Sequence, residues 1–292
     1  MLHEIVKEEQ TVRPTKTCQI LGLNASSYRY QTKHATSRIT DKKLLKEIQD
    51  ITKEFSGYGY RRVTKTLPQK GIKVNHKKVF KIMQENHLTR KKRKTFKPKT
   101  TDSNHSNRVY PNKAKGLKTI HPNQLWVADI TYIRLAHRFA YLAIILDVFS
   151  RKIVGWNLGQ TLESGLATNA LTMAIQNRSF LGFANLIHHS DRGVQYACQQ
   201  YTALLEQNDI AISMSAKGNP YDNAFAESFN KTIKYEEVYL NEYETFDDAL
   251  ENIERFIEEV YNKKRLHSSI DYRSPDRFEQ EWILKNQTGY SC

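Results

Sequence analysis

At 292 residues and 39% hydrophobic content the chain is long enough to bury a substantial core, yet its longest apolar run, residues 139–146, is too short to cross a bilayer. The N-terminus lacks an apolar signal-peptide segment, and Cys18, Cys198 and Cys292 form neither a CxxC nor a paired framework, so a soluble cytosolic protein with free thiols is expected. The formal net charge of +14 points to a polyanionic partner and is unevenly spread: residues 1–118 carry 29 Lys+Arg against 9 Asp+Glu, the remainder 16 against 22.

In chain order, "TKTCQILGLNASSYRY" has a short apolar helical pattern with Gly22 as a turn and Asn24 or Ser26 as a cap. It suits either a partial helix-turn-helix or an ordinary helical leader over residues 1–40. From Asp41, the residues Leu44, Leu45, Ile48 and Ile51 recur at helical spacing until "SGYGYRR" breaks the pattern. A second helix follows, short or kinked at Pro68, and "VNHKKVFKIMQENHL" restarts from an Asn75 cap with Val79, Ile82 and Met83 on one face. Three short helices with basic outer faces predict a helix-turn-helix DNA-binding domain over residues 41–92, with Arg61, Arg62, Lys91, Lys92 and Arg93 as phosphate-binding candidates; a small bundle with solvated lysines is the alternative. Residues 90–99 hold seven Lys+Arg and no acid, so residues 93–119 are read as a basic linker lying along phosphates.

Beyond Ile120 the texture changes. "QLWVADITYIRL", "RFAYLAIILDVFS" and "KIVGWNLG" read as strands, "LESGLATNALTMAIQ" as a helix, "NLIHHSD" as a short buried strand, "QQYTALLEQN" as a helix and "AISMS" as a strand. This order predicts an α/β fold, a ribonuclease H-like mixed sheet flanked by helices over residues 120–240, preceded by the small all-α domain. Phe246, Leu250, Ile253, Ile257 and Val260 form a helical stripe, read as part of a C-terminal helical extension over residues 241–292 packed on the core.

Three carboxylates stand out by position. Asp129 sits inside the first core strand, where a charge is costly unless it meets a cation or a partner. Its rival Asp147, beside "FSRK", is better explained as a hydrogen-bonded structural acid. Asp191 ends an apolar run and precedes Arg192 and Gly193, at the strand end where open sheets bind ligands. His188 and His189 are read as packing or hydrogen-bonding groups. Glu227 lies on a helix opening at Asp222 or Asn223; Asn223, Glu227, Lys231 and Lys234 share one face, and Phe225, Phe229 and Ile233 hold the opposite face to the sheet. A solvated Glu–Lys pair is the plainer reading of Glu227 and Lys231. Taken together, the three acids form a hard oxygen donor set suited to Mg²⁺ or Mn²⁺, two ions about 3.5 to 4 Å apart in phosphodiester chemistry.

"WVADITYI", "AYLAIILDVFSRKIVGW", "HHSDRGVQY", "SMSAKGNPYDNAFAESFNKTIK" and "YNKKRLHSSIDYRSPDRF" resemble successive blocks of insertion-sequence transposases of the IS-three family, the OrfB-type catalytic polypeptide related to retroviral integrase. "SGYGYRRVTKTL" with "NHKKVFKIMQENHL" resembles the helix-turn-helix that precedes this core. In that family a third acid follows the second after thirty-five residues, with a basic residue seven further on; Asp191 and Glu227 enclose thirty-five residues, and Lys234 lies seven beyond. The resemblance implies a bacterial DNA transposase that cleaves element ends and joins them by strand transfer, with Asp129, Asp191 and Glu227 as catalytic metal ligands. It further implies DNA contacts from Lys234, Lys231, Asn223, Arg265 and His267. The implied partners are double-stranded terminal repeats and target DNA, further copies of the chain on DNA, and the product of an upstream reading frame that supplies end binding and oligomerisation, a region this chain is expected to lack. A catalytically idle DNA-binding regulator and a ribonuclease acting on RNA–DNA hybrids are the competing readings.

Overall fold

The computed structural model describes Gly22, Asn24 and residues 41–89, 107–216 and 223–287. The remainder of the 1–40 leader, Lys91, Lys92 and Arg93 lie outside the described residues.

Helix α1 (Asp41–Glu54) buries Leu44, Ile48 and Ile51 at the spacing read above. Helix α2 (Tyr60–Thr66) stops where Pro68 removes a donor, and a 3₁₀ turn over Leu67–Lys70 closes on Gly71 at φ 75°, a left-handed conformation suited to glycine. Helix α3 (His76–Glu85) starts where the Asn75 side chain accepts from the Lys77 amide at 2.9 Å. Val63, Leu67, Val79, Ile82 and Met83 join the buried face of α1 in a small core of their own.

The second, larger unit is a five-stranded sheet in the order β3-β2-β1-β4-β5. Strands β1 (Leu125–Arg134), β2 (Phe139–Asp147) and β3 (Ile153–Gly159) form an antiparallel meander; β4 (Ile187–Ser190) and β5 (Ala211–Met214) add parallel to β1. Parallel neighbours need crossovers. These are helix α4 (Ser164–Arg178) between β3 and β4, then α5 (Val194–Ala197) and α6 (Gln199–Gln207) between β4 and β5. The mixed ribonuclease H-like sheet with flanking helices is the fold expected from the sequence.

Side-chain alternation along β1 sorts the core into two layers. Trp126, Ala128 and Ile130 face the cluster built with α4 and α6, whereas Leu125, Val127 and Ile133 face the opposite cluster. That second layer is covered by α7 (Ala224–Ile233), α8 (Phe246–Arg255) and the π-helical turn Phe256–Asn262, and α9 (Pro275–Gln287) completes the C-terminal arm. Within the predicted stripe Ile253 and Ile257 are buried, and Phe246, Leu250 and Val260 pack partly buried against the same cluster. On α7, Ala226, Phe229 and Ile233 are the anchors. Phe225 departs from expectation: it is 40% exposed, and the Arg151 guanidinium lies 4.0 Å from its ring centroid.

Candidate active site

Asp129 sits at an odd position of β1 and so faces the α7 layer, paired opposite Ile144 of β2. On its other side, Leu125, Trp126 and Val127 pair in parallel with Ile187, His188 and His189. Asp191 follows just past the end of β4, two residues beyond the last of these pairs, and its negative charge reaches Asp129, two residues beyond on β1. Adjacent strands lie about 4.8 Å apart, so like charges carried by neighbouring strands repel each other directly.

Helix α7 brings the third acid by means of two asparagines. Asn223 donates its side-chain amide to the Ala128 carbonyl at 2.9 Å, and Asn230 donates to Asp129 Oδ2 at 2.8 Å. They stand four residues before and three after Glu227, so all three share the helix face turned to β1. The Glu227 side chain is 40% exposed and leans 3.9 Å from Lys231 Nζ, a loose surface pair.

The electrostatics follow from this convergence. Burial pushes the Asp129 carboxyl up to about 7, the negative charge of Asp191 adds to the rise, and that of Glu227 adds less. Hydrogen bonds from the Ile130 amide (3.0 Å to Oδ1) and from Asn230 pull in the opposite direction without cancelling it. Asp191 Oδ1 accepts from the Gly193 amide at 2.8 Å, which turns the chain into α5. Gly193 has φ −65°, a conformation open to any residue, so the turn does not require glycine for its backbone angle. Lys234, the first residue of a π-helical turn over Lys234–Val238, places its ammonium 3.7 Å from the Tyr132 ring centroid. Burial lowers Lys234 to about 8 while the charge of Asp129 acts against that shift.

Among the described residues no three His, Cys, Asp or Glu side chains are already closed into an ion cage. The donor set nonetheless fits a hard divalent cation: it is all oxygen, it comes from three separate elements, and its most enclosed member is strained by like charge that a cation would relieve.

The other expected residues occupy distinct surroundings. Lys231 and Arg61 are exposed. Asn223 is 7% exposed and is spent on the strand backbone, so it faces the sheet and not the solvent. Arg62 lies over the Tyr58 ring at 5.6 Å, with its Nε buried and without a hydrogen-bond partner. Arg265, expected at a DNA-facing turn, is instead enclosed: Nε donates to Glu236 Oε2 at 2.7 Å and Nη2 to Oε1 at 2.8 Å, with both side chains 4% exposed. His267 stands beside it, 3.4 Å from Arg265 Nη1, and burial reinforced by that positive charge keeps its ring neutral. Positions of this kind are invisible to a reading that sees only a run of basic residues.

Asp147, His188 and His189 meet their structural expectations. Asp147 is fully buried; it accepts from the Asn123 amide at 2.7 Å and from the Ser150 amide at 2.9 Å, and Arg178 lies 3.7 Å away. His188 Nε2 is 2.8 Å from the Tyr201 hydroxyl and His189 Nδ1 is 2.8 Å from the Ser213 hydroxyl. Asn230 was not foreseen, although its spacing from Glu227 on an amphipathic helix is the signal that could have found it.

Comparison with known proteins agrees with this architecture. Residues 120–220 and 208–275 each match an integrase core domain family, and residues 40–96 match an HTH-like domain. The chain is 37% identical over 271 residues to the insertion element IS600 uncharacterized 31 kDa protein of Shigella sonnei, spanning 91% of this chain and 98% of that protein. It is 38% identical over 239 residues to the transposase for insertion sequence element IS904 of Lactococcus lactis subsp. lactis, 81% of this chain and 93% of that one. Against the transposase InsF for insertion sequence IS3A of Escherichia coli K12 the identity is 31%, over 90% and 93% of the two chains. The chain belongs to the IS3 family of transposases. This transposase therefore carries a core of the polynucleotidyl transferase kind behind an HTH-like domain. Similar solved structures include a simian T-cell lymphotropic virus intasome in complex with PP2A regulatory subunit B56 gamma (TM-score 0.46, 18% identity, 74% of this chain and 70% of that one). The HTLV-2 integrase catalytic core domain in complex with magnesium is another (TM-score 0.43, 16% identity, 56% and 99%). Among the described residues no helix is long and apolar enough to cross a membrane.

Proposed function

We propose that the transposase cleaves the ends of its element to free a 3′-hydroxyl and joins that hydroxyl to target DNA by divalent-metal-dependent transesterification, with Asp129, Asp191 and Glu227 as the metal ligands. The observation that supports this reading is that the charges of Asp191 and Glu227 both act on Asp129, combined with the two asparagines of α7 that hydrogen-bond β1 on either side of Glu227 in sequence. Mg²⁺ or Mn²⁺, as a pair of ions, would supply Lewis-acid stabilisation of the attacking and leaving oxygens. The chain's own residues do the rest. Asn230 and the Ile130 amide hold Asp129 in one orientation, so its lone pairs are aimed before a cation arrives. Lys234, seated on the Tyr132 ring, puts its charge where Asp129 feels it, and Lys231 one turn earlier meets the phosphate backbone of the DNA end.

In the joining step the 3′-oxygen gives up its proton and forms a bond to phosphorus, while the target P–O bond breaks and its oxygen leaves, taking up a proton, as the new 3′-hydroxyl; bond count and charge are conserved. Terminal repeats and target duplex are the substrates, a multimer on DNA the working form, and the upstream-frame product the partner for end recognition. The test is strand transfer on a duplex carrying the element's own terminus, with Asp129→Asn, Asp191→Asn and Glu227→Gln. Each substitution is expected to lower turnover by about 10²-fold or more. Unchanged turnover in any one of them removes that residue from the site, and hybrid digestion without DNA joining selects a ribonuclease instead.

A further inference from the structure

Two segments that the catalytic site leaves unused, "SGYGYRR" and "NKKRLHSS", meet in space. Gly57 and Tyr58 lie between α1 and α2; Arg265, Leu266 and His267 follow the π-helical turn of the C-terminal arm. Leu266 is buried within the hydrophobic core of the N-terminal helices, and its amide donates to the Tyr58 hydroxyl at 2.7 Å. Glu236 completes the seat. Its carboxylate is clamped by Arg265 from one side, and Gly57 presses on it from the other so closely that any Cβ at position 57 would overlap it.

Glu236 is also the middle residue of the π-helical turn that begins at Lys234. Such a turn inserts one residue into a helix, is rare, and recurs at functional sites. Here it closes with the Tyr239 amide donating to the Lys234 carbonyl at 2.9 Å. The same turn carries Tyr239 to the hydroxyl of Tyr132, with which it shares a side-chain hydrogen bond, and the Tyr132 ring underlies the Lys234 ammonium. A contiguous set of contacts thus runs from the seat of the helical domain to the lysine beside Asp129.

We propose that Glu236 and Arg265 are positioning residues of the transposase: seated against Gly57 and Tyr58, they hold the π-helical turn that keeps Lys234 on Tyr132, so that docking of the helix-turn-helix domain sets the geometry of strand transfer. This rests on the strand-transfer reading above. A domain that merely gripped DNA would change how tightly ends bind; a domain that sets the turn changes turnover once ends are bound.

The full-length chain is assayed for strand transfer on a pre-cleaved duplex end as wild type, Gly57→Ala, Glu236→Gln, Tyr239→Phe and Gly57→Ala/Tyr239→Phe, at a temperature well below every melting midpoint. Wild-type turnover tests the strand-transfer reading by itself. Gly57→Ala is expected to lower kcat by about tenfold with KM for the DNA end within about twofold, Glu236→Gln to do the same, and Tyr239→Phe to reproduce part of the loss. Because the effect passes through Tyr239, Gly57→Ala should cost much less in the Tyr239→Phe background than in wild type. If Gly57→Ala does not fold, Glu236→Gln/Tyr239→Phe serves the same cycle. A change in KM alone, full activity of Tyr239→Phe, or losses that multiply independently in the double variant would overturn the proposal.

Discussion

Asp129 shows how a single half-buried carboxyl ties function to stability. Its value in the folded chain, about 7, lies above the 3.8 of a free aspartate. Between those two pH values the folded state keeps a proton that the unfolded state has released, so stability falls as pH rises through this window and the full cost stands above pH 7. A shift of this size corresponds to an order of a few kcal/mol. Asp129→Asn is therefore expected to abolish joining and yet to raise the melting midpoint by several degrees at pH 8, with the gain shrinking toward pH 4; scanning calorimetry across that range checks it. A midpoint that falls at pH 8 contradicts the account in which burial, with the like charge of Asp191, makes the ionised Asp129 costly. Arg178 gives the opposite behaviour. It is 2% exposed and serves two buried acids, Glu279 at 2.6 Å and Asp147 at 3.7 Å, so Arg178→Ala removes the buried guanidinium from both and should cost about 3–5 kcal/mol in urea unfolding.

Elements carry the next set of constraints. Strand β3 and helix α4 approach so closely at Gly155 that a Cβ there would overlap the Ala170 carbonyl oxygen and crowd Ala174. Gly155→Ala should lower stability by about 1–3 kcal/mol, read from denaturant unfolding, because both faces of the sheet are packed and the strand has nowhere to move. Helix α7 is fixed from two sides, by Ala226, Phe229 and Ile233 against the α8 layer and by Asn223 and Asn230 against β1. The two sides divide labour. Apolar contacts set where the helix lies, and hydrogen bonds set its rotation, which decides whether Glu227 faces Asp129. Within the HTH-like domain, neighbouring arginines on α2 have unlike surroundings: Arg61 is exposed, and Arg62 is drawn toward Tyr58 with burial lowering its basicity. Arg61→Ala should weaken DNA binding uniformly across sequences and reduce the salt-dependence slope by about one, whereas Arg62→Ala should leave that slope unchanged. Equal changes in slope would show that both side chains reach phosphate.

At the scale of the whole molecule the charge asymmetry and the layering serve one arrangement. Residues 1–118 carry +20 and the remainder −6, and the helical domain over residues 41–89 is seated on the mildly acidic part of the chain through Tyr58 and the Glu236–Arg265 pair. Much of this was legible in the sequence. The 3.6-residue spacing of Leu44, Ile48 and Ile51, the Asn75 cap, the break at Pro68 and the strand–strand–strand–helix order depend on local preferences and binary pattern, which act over a few residues and can be read without a fold. So could the spacing from Asp191 to Glu227 and on to Lys234. What could not be read were the facings of individual polar side chains. Asn223 and Arg265 looked like surface groups within polar or basic stretches, but one is bound to a strand carbonyl and the other sealed against Glu236, because desolvation and pairing are decided by elements far away in the chain. Sequence by itself determined the elements, their order and the acids worth watching. Only tertiary structure decided which polar groups meet, since the β1–β4 register and the seating of the helical domain arise from contacts between segments that no local pattern connects.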